Sequence, residues 1–338
     1  MDPLTHALAS YTLKRAAFPR LASRATIAMV AAGSVADIDM LSRYFGPAAY
    51  LAWHRTYFDS LTAAIVISIL AALPFFFLRS APEKRIVPAA VFTAALAAGV
   101  LHVLFDACQA QGVELFWPVS SRRFAADWIA GIDFWIPALL LAALILPKLS
   151  SLVTEEIGAK SKGPRGRVAA FVCLALVGAY IGTRAMLHAS AVATLNSRTY
   201  RGESPRRTAA FPDTFSMFTW DGIVETERAL HEIAVSVSPA ASFDADAART
   251  LYKPEPSPAL TAALQTAAAR RFLAYARFPK ASVEKTSEGY RVLLRTFPYD
   301  ADATGGLRFR AVIDTDASGK VLDESIEWEP GSQQYWWR

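Results

Sequence analysis

A pair of apolar runs, residues 61–78 and 86–105, joined by the basic loop 79–85, limits this chain's folding options most. Folded as antiparallel helices, they bring the entry of the first run and the exit of the second to one face. His54, Arg55 and Asp59 stand just before the first run, and His102 and Asp106 close the second. Ionisable groups at a membrane boundary are costly unless paired or bound, so His and Asp gathered there read as functional.

Four runs approach the ~20 residues with which a helix crosses a bilayer: 61–78, 87–105, 129–146 and 168–187. Pro74 and Pro137 fall inside two of them as kinks that lipid-embedded helices tolerate. Over 338 residues, 53% are hydrophobic and only 19% charged, an excess over the usual soluble balance that is confined to the first half. The expected fold class is mostly α: a polytopic helical membrane domain, 1–188, then a soluble α+β domain, 189–338. Cys108 and Cys173 alone make no disulfide framework. The N-terminus lacks the basic and apolar regions of a cleavable signal, so the first transmembrane helix is expected to serve as an uncleaved one. The net charge of +5 sits mainly in short loops, where it marks orientation, and no nucleic-acid partner is expected. Basic residues in loops 79–85 and 148–167 place that side in the cytoplasm. The His/Asp face and the C-terminal domain would then be extracytoplasmic.

Ahead of these runs, residues 4–13 and 25–36 suggest a helical hairpin with Lys14, Arg15, Arg20 and Arg24 at its tip. Its open end would gather Asp2, His6, Asp37 and Asp39. In the second half, 257–278 has helical periodicity, 290–297 reads as a strand, and 307–314 and 321–328 form a hairpin about the turn 316–320. Residues 211–212 and 215–224 suggest a further strand pair, and 198–207 an exposed linker.

His102 and Asp106, four apart, share one helix face. With His6, Asp37, Asp39, His54 and Asp59 they make a mixed imidazole and carboxylate set, suited to one or two divalent ions such as zinc or manganese. Such ions activate water and stabilise developing negative charge, which serves phosphoester or amide hydrolysis. Arg55 is the candidate for stabilising an anionic substrate or transition state; Glu114 and Asp133 are weaker candidates for a base. Each motif also has a structural reading: His102 and Asp106 as a hydrogen-bonded pair, Asp37 and Asp39 as helix caps, Arg55 as a carboxylate's partner.

At these residues the chain resembles the YdjM-like family of bacterial inner-membrane proteins, described as metal-dependent hydrolases. The resemblance lies in the opening Met-Asp-x-x-Thr-His of Met1 to His6, and in Ala36-Asp37-Ile38-Asp39, where the family has proline first. It continues in His54-Arg55-Thr56-Tyr57-Phe58-Asp59-Ser60, in His102 to Asp106, and in Phe116-Trp117-Pro118. Asp59 stands where the family usually carries histidine. The resemblance implies metal ligation by His6, Asp37, Asp39, His54, Asp59, His102 and Asp106. A more distant similarity to zinc-dependent phospholipase C and P1-type nucleases favours a phosphoester or lipid-like substrate over an amide. The alternative is a non-catalytic membrane scaffold whose C-terminal domain binds a partner.

Overall fold

A computed structural model describes residues 1–77, 87–156, 165–296 and 308–329. The basic loop 79–85 and residues 157–164 of the loop 148–167 lie outside them. Two compact units emerge: Met1–Asp39 with Arg55–Ala185, and Met40–His54 with Met186–Arg338.

The first unit is helical. Helix α1 (Pro3–Ala17) starts where Asp2 accepts the Thr5 amide at 2.9 Å and Pro3 occupies the first turn, the favoured N-terminal chemistry. It packs on α2 (Ser23–Ala32) through the turn closed by Leu21 N–H to Phe18 O, the hairpin expected from sequence. A 3-10 stretch, Val35–Phe45, follows, then α3 (Pro47–Trp53), which belongs to the second unit.

Ser60 caps α4 (Leu61–Ala72) by accepting the Ala63 amide at 3.0 Å. Pro74, expected as a kink, falls at a one-residue interruption between α4 and the single turn α5 (Pro74–Phe77), where its ring removes a backbone donor. Helix α6 (Pro88–Ala107) buries Val91, Ala94, Ala95, Ala98 and Gly99 against α2 and α4. A Cβ on Gly99 would stand 3.2 Å from that of Ala64: small residues let these helices approach closely. His102 and Asp106 continue that stripe at helical spacing, so the packing that joins the helices also turns both side chains inward.

Helix α7 (Trp135–Glu156) starts six residues later than the apolar run 129–146. Asp133 accepts the amides of Trp135 and Ile136 at 3.0 and 3.2 Å, so Pro137 falls in the first turn, where it is harmless. Helix α8 spans Arg165–Asn196. Of the four expected spans, α6 and residues Gly166–Asn196 of α8 are long and apolar enough to cross a membrane; Leu61–Phe77 and Trp135–Leu149 are shorter apolar helices. The pair Ser23–Ala32 and Val35–Phe45 would add a third if taken as one broken span.

Gly112 pins the loop after α6. Its φ is +62°, and a Cβ there would meet the Phe124 carbonyl oxygen at 2.1 Å, beside the Val113–Phe124 bridge. Gly112→Ala is expected to destabilise this unit by about 2–3 kcal/mol, from left-handed strain plus a backbone clash; an unchanged thermal midpoint would refute that placement.

The second unit holds two antiparallel four-stranded meanders, which makes the chain mixed α/β and corrects the mostly-α expectation. The first comprises β1 (Arg207–Pro212), β2 (Thr219–Glu225), β3 (Ala229–Ser236) and β4 (Arg249–Tyr252). Trp220, Val224 and Val235 pack on Ala191 and Leu195 from the end of α8. The second comprises β5 (Lys280–Lys285), β6 (Gly289–Arg295), β7 (Phe309–Asp316) and β8 (Val321–Trp328). The expected helix 257–278 is two, α9 (Pro258–Leu264) and α10 (Ala267–Tyr275). The Thr266 hydroxyl donates to Ala263 O at 2.8 Å and accepts from the Ala269 amide at 3.2 Å, ending one helix and starting the other.

Candidate metal centre

The last turn of α6, the start of α1 and the segment after α2 meet in a buried polar cluster. One ligand atom each from His6, Asp37, His102 and Asp106 lies within 4.8 Å of the other three. His6, His102 and Asp106 are at most 2% exposed, and the His6 and His102 rings stack at 3.8 Å.

The His102 ring is oriented from both sides. Nδ1 lies 3.0 Å from the Gly33 carbonyl, and Nε2 lies 2.8 Å from Asp59 Oδ1 and 3.6 Å from Asp106 Oδ2. A carbonyl only accepts, so Nδ1 must carry the proton, and a neutral ring then presents a lone pair at Nε2 to two carboxyl groups. A proton or a cation has to stand between them. An imidazole whose other nitrogen is tied to a backbone carbonyl is also the usual support of a metal-ligating histidine.

Other donors point the same way. His6 Nδ1, Asp37 Oδ2 and Asp59 Oδ2 are buried with no hydrogen-bond partner among the described residues, a costly state that ligation relieves. Burial pushes the His6 pKa well down, keeping its imidazole neutral, and burial raises that of Asp59. Two imidazoles with carboxylates suit a borderline divalent ion. The residues therefore fit a metal, and this His/Asp group could hold one.

Arg55 is 4% exposed and sits at φ +58°, a conformation in which both of its backbone groups are held. Its amide donates to Asp39 Oδ2 at 2.6 Å, and its carbonyl accepts from the Glu114 amide at 3.3 Å. Its guanidinium lies 3.5 Å from Asp106 Oδ1 and donates to Gln109 Oε1. Asp39 thus braces the Arg55 backbone and lies outside the four-residue group. His54 is grouped with the second unit, its ring stacked on Tyr50 at 4.5 Å. Glu114 pairs with Arg123 at 3.6 Å; Asp133 caps α7 and accepts from Tyr180 Oη at 2.8 Å.

Sequence reasoning missed Gln109 and the Gly33 carbonyl. Gln109 is fully buried, with Nε2 donating to Ala130 O and Gly131 O at 3.1 Å each. Its position three residues past Asp106 was the available signal. The Gly33 carbonyl, a backbone group, left none.

A family model described as YdjM inner membrane protein matches residues 1–191. No curated protein and no solved structure matches the chain.

Proposed function

The chain belongs to the YdjM family of inner membrane proteins, and from that premise we propose that it is a membrane-bound metal-dependent hydrolase. The substrate we favour is a phosphoester, presented at the membrane surface. The observation that carries the reading is His102: its tautomer is fixed by Gly33 O while Nε2 faces Asp59 and Asp106.

His6, Asp37, His102 and Asp106 would hold the ion, zinc or manganese, with Asp59 close enough to His102 to orient it or to join a second ion. A bound divalent ion lowers the pKa of water towards neutrality and stabilises anionic charge. Asp39 fixes the Arg55 backbone, and the Arg55 guanidinium, held beside Asp106, is set to receive an anionic group displaced towards it. We place the second unit in the periplasm on the basic residues of the loops alone; labelling of a cysteine at exposed Arg271 by an impermeant reagent in intact cells tests this.

Zinc- or manganese-loaded protein is expected to hydrolyse a chromogenic phosphodiester, and Asp37→Asn to lower that rate by at least about 100-fold, given the electrostatic share of such catalysis. No turnover by loaded wild type across phosphomonoesters, phosphodiesters and phospholipids would overturn the hydrolase reading. The scaffold alternative draws on the Arg55–Asp106 and His102–Asp59 pairs, which tie the end of α6 to the segment before α4 whether or not a metal is bound. It predicts partner binding that survives chelation.

A further inference from the structure

Helix α6 ends at Ala107 and α7 begins at Trp135, so the loop between them lies at one end of two consecutive apolar helices. That loop and the first residue of α7 expose an unusual set of side chains: Val119 is 90% exposed, with Phe116, Ile132, Phe134 and Trp135 each about half exposed. Arg122 is exposed among them, its guanidinium 5.6 Å from the Phe124 ring. Large apolar side chains with aromatic rings and arginine at a helix end are what the bilayer interface selects. The tip is also built: Val113 and Phe124 bridge its base, Tyr57 meets Trp117 edge-on at 5.1 Å, and Ser120 Oγ accepts the Arg122 amide at 3.2 Å.

The loop is tied to the metal centre. Arg123 lies 3.6 Å from Glu114 and 3.3 Å from Thr56 Oγ1, and the Glu114 amide donates to the Arg55 carbonyl. The cluster's His102 and Asp106 occupy the last turn of α6, the turn that feeds this loop.

We propose that residues 114–124 form a lipid-headgroup site, in which Phe116 and Val119 enter the interfacial layer and Arg122 binds the phosphate of an anionic phospholipid. This deepens the hydrolase reading by naming the substrate class, and only the delivery of that phosphate to the metal centre rests on that reading. Phosphate binding by guanidinium and burial of the apolar tip need no metal.

The test uses the full chain in nanodiscs of phosphatidylcholine with a minority of phosphatidylglycerol, extracted gently and read by native mass spectrometry for retained lipid. Wild type is expected to enrich phosphatidylglycerol, and Arg122→Glu and Arg122→Gln to reduce that enrichment, by about fivefold for the removed charge. Asp106→Asn should lose its metal yet keep the lipid, which separates failure of this site from failure of the hydrolase reading. Arg271→Glu, the same charge change at an exposed residue of the second unit, should retain wild-type enrichment. The proposal is overturned if Arg122→Glu and Arg122→Gln enrich as wild type does, or if Arg271→Glu loses as much. Loss of lipid in Asp106→Asn, or displacement of lipid by millimolar inorganic phosphate, would also overturn it, by placing the headgroup elsewhere or showing a free-phosphate site.

Discussion

Replacing His102 with alanine is expected to abolish the divalent-metal binding proposed for the purified protein. Nε2 stands 2.8 Å from Asp59 Oδ1 and 3.6 Å from Asp106 Oδ2, so on the proposed reading its removal takes out an imidazole ligand placed between two carboxyl groups. Loss of outer partners alone typically costs 10- to 100-fold in metal affinity, so loss of this ligand should exceed about 100-fold. Asp106→Ala should do the same, and in addition leaves Arg55 without its carboxylate. Asp39→Asn, which touches the centre only through the Arg55 backbone, should weaken binding far less. The helix itself should survive either alanine, the residue with the highest helix propensity. Elemental analysis of detergent-purified wild type and variants, with matched elution profiles, decides the matter. A His102→Ala protein with a full complement of metal would remove the centre from this position. Chelation should also lower the melting temperature of wild type, since at a ligand concentration of about 100 Kd binding contributes roughly 2.7 kcal/mol. His102→Ala should show no such shift.

What the sequence disclosed and what it hid divide along the range of the interactions. The i, i+4 spacing of His102 and Asp106 and the apolar stripe of α6 are local, and both were legible. So was the hairpin that returns Asp37 to His6, because a basic tip and an acidic open end flank two short apolar runs. The turn at Asp316–Lys320 was legible too: Gly319 has φ +89° and Asp316 Oδ1 accepts from Ser318 and Lys320. Strands β3 and β5 escaped because their burial is irregular along the strand, giving no clean alternation to read. The two helix starts were misplaced where one polar side chain overrides an apolar run: Asp133 at α7, and Thr266 between α9 and α10. Separation of the ligand list into Asp39, which serves Arg55, and Asp37, which faces His102 and Asp106, depends on backbone direction through a 3-10 stretch. Residue spacing carries no such information.

The residues least legible of all are 40–54, and they carry the largest expected effect on stability. Tyr50 and Leu51 lie in the core of the second unit with Phe272, Val292, Leu294 and Phe309, more than 200 positions later. Tyr50 is fully buried; its ring stacks on Phe309 at 5.5 Å and stands 6.0 Å from Trp328. Helix α3 is only seven residues long, too short to persist without such packing. Removing this ring leaves a cavity among aromatic side chains, and truncation of a buried aromatic to alanine costs about 3–5 kcal/mol. Tyr50→Ala is therefore expected to lower the unfolding free energy of the second unit by that amount, while Tyr50→Phe, which keeps the ring, costs much less. Limited proteolysis reads this out directly: Tyr50→Ala should open the 186–338 region to cleavage, and the helices of the first unit should stay resistant. Equal protease resistance in wild type and Tyr50→Ala would mean that α3 is not part of this core.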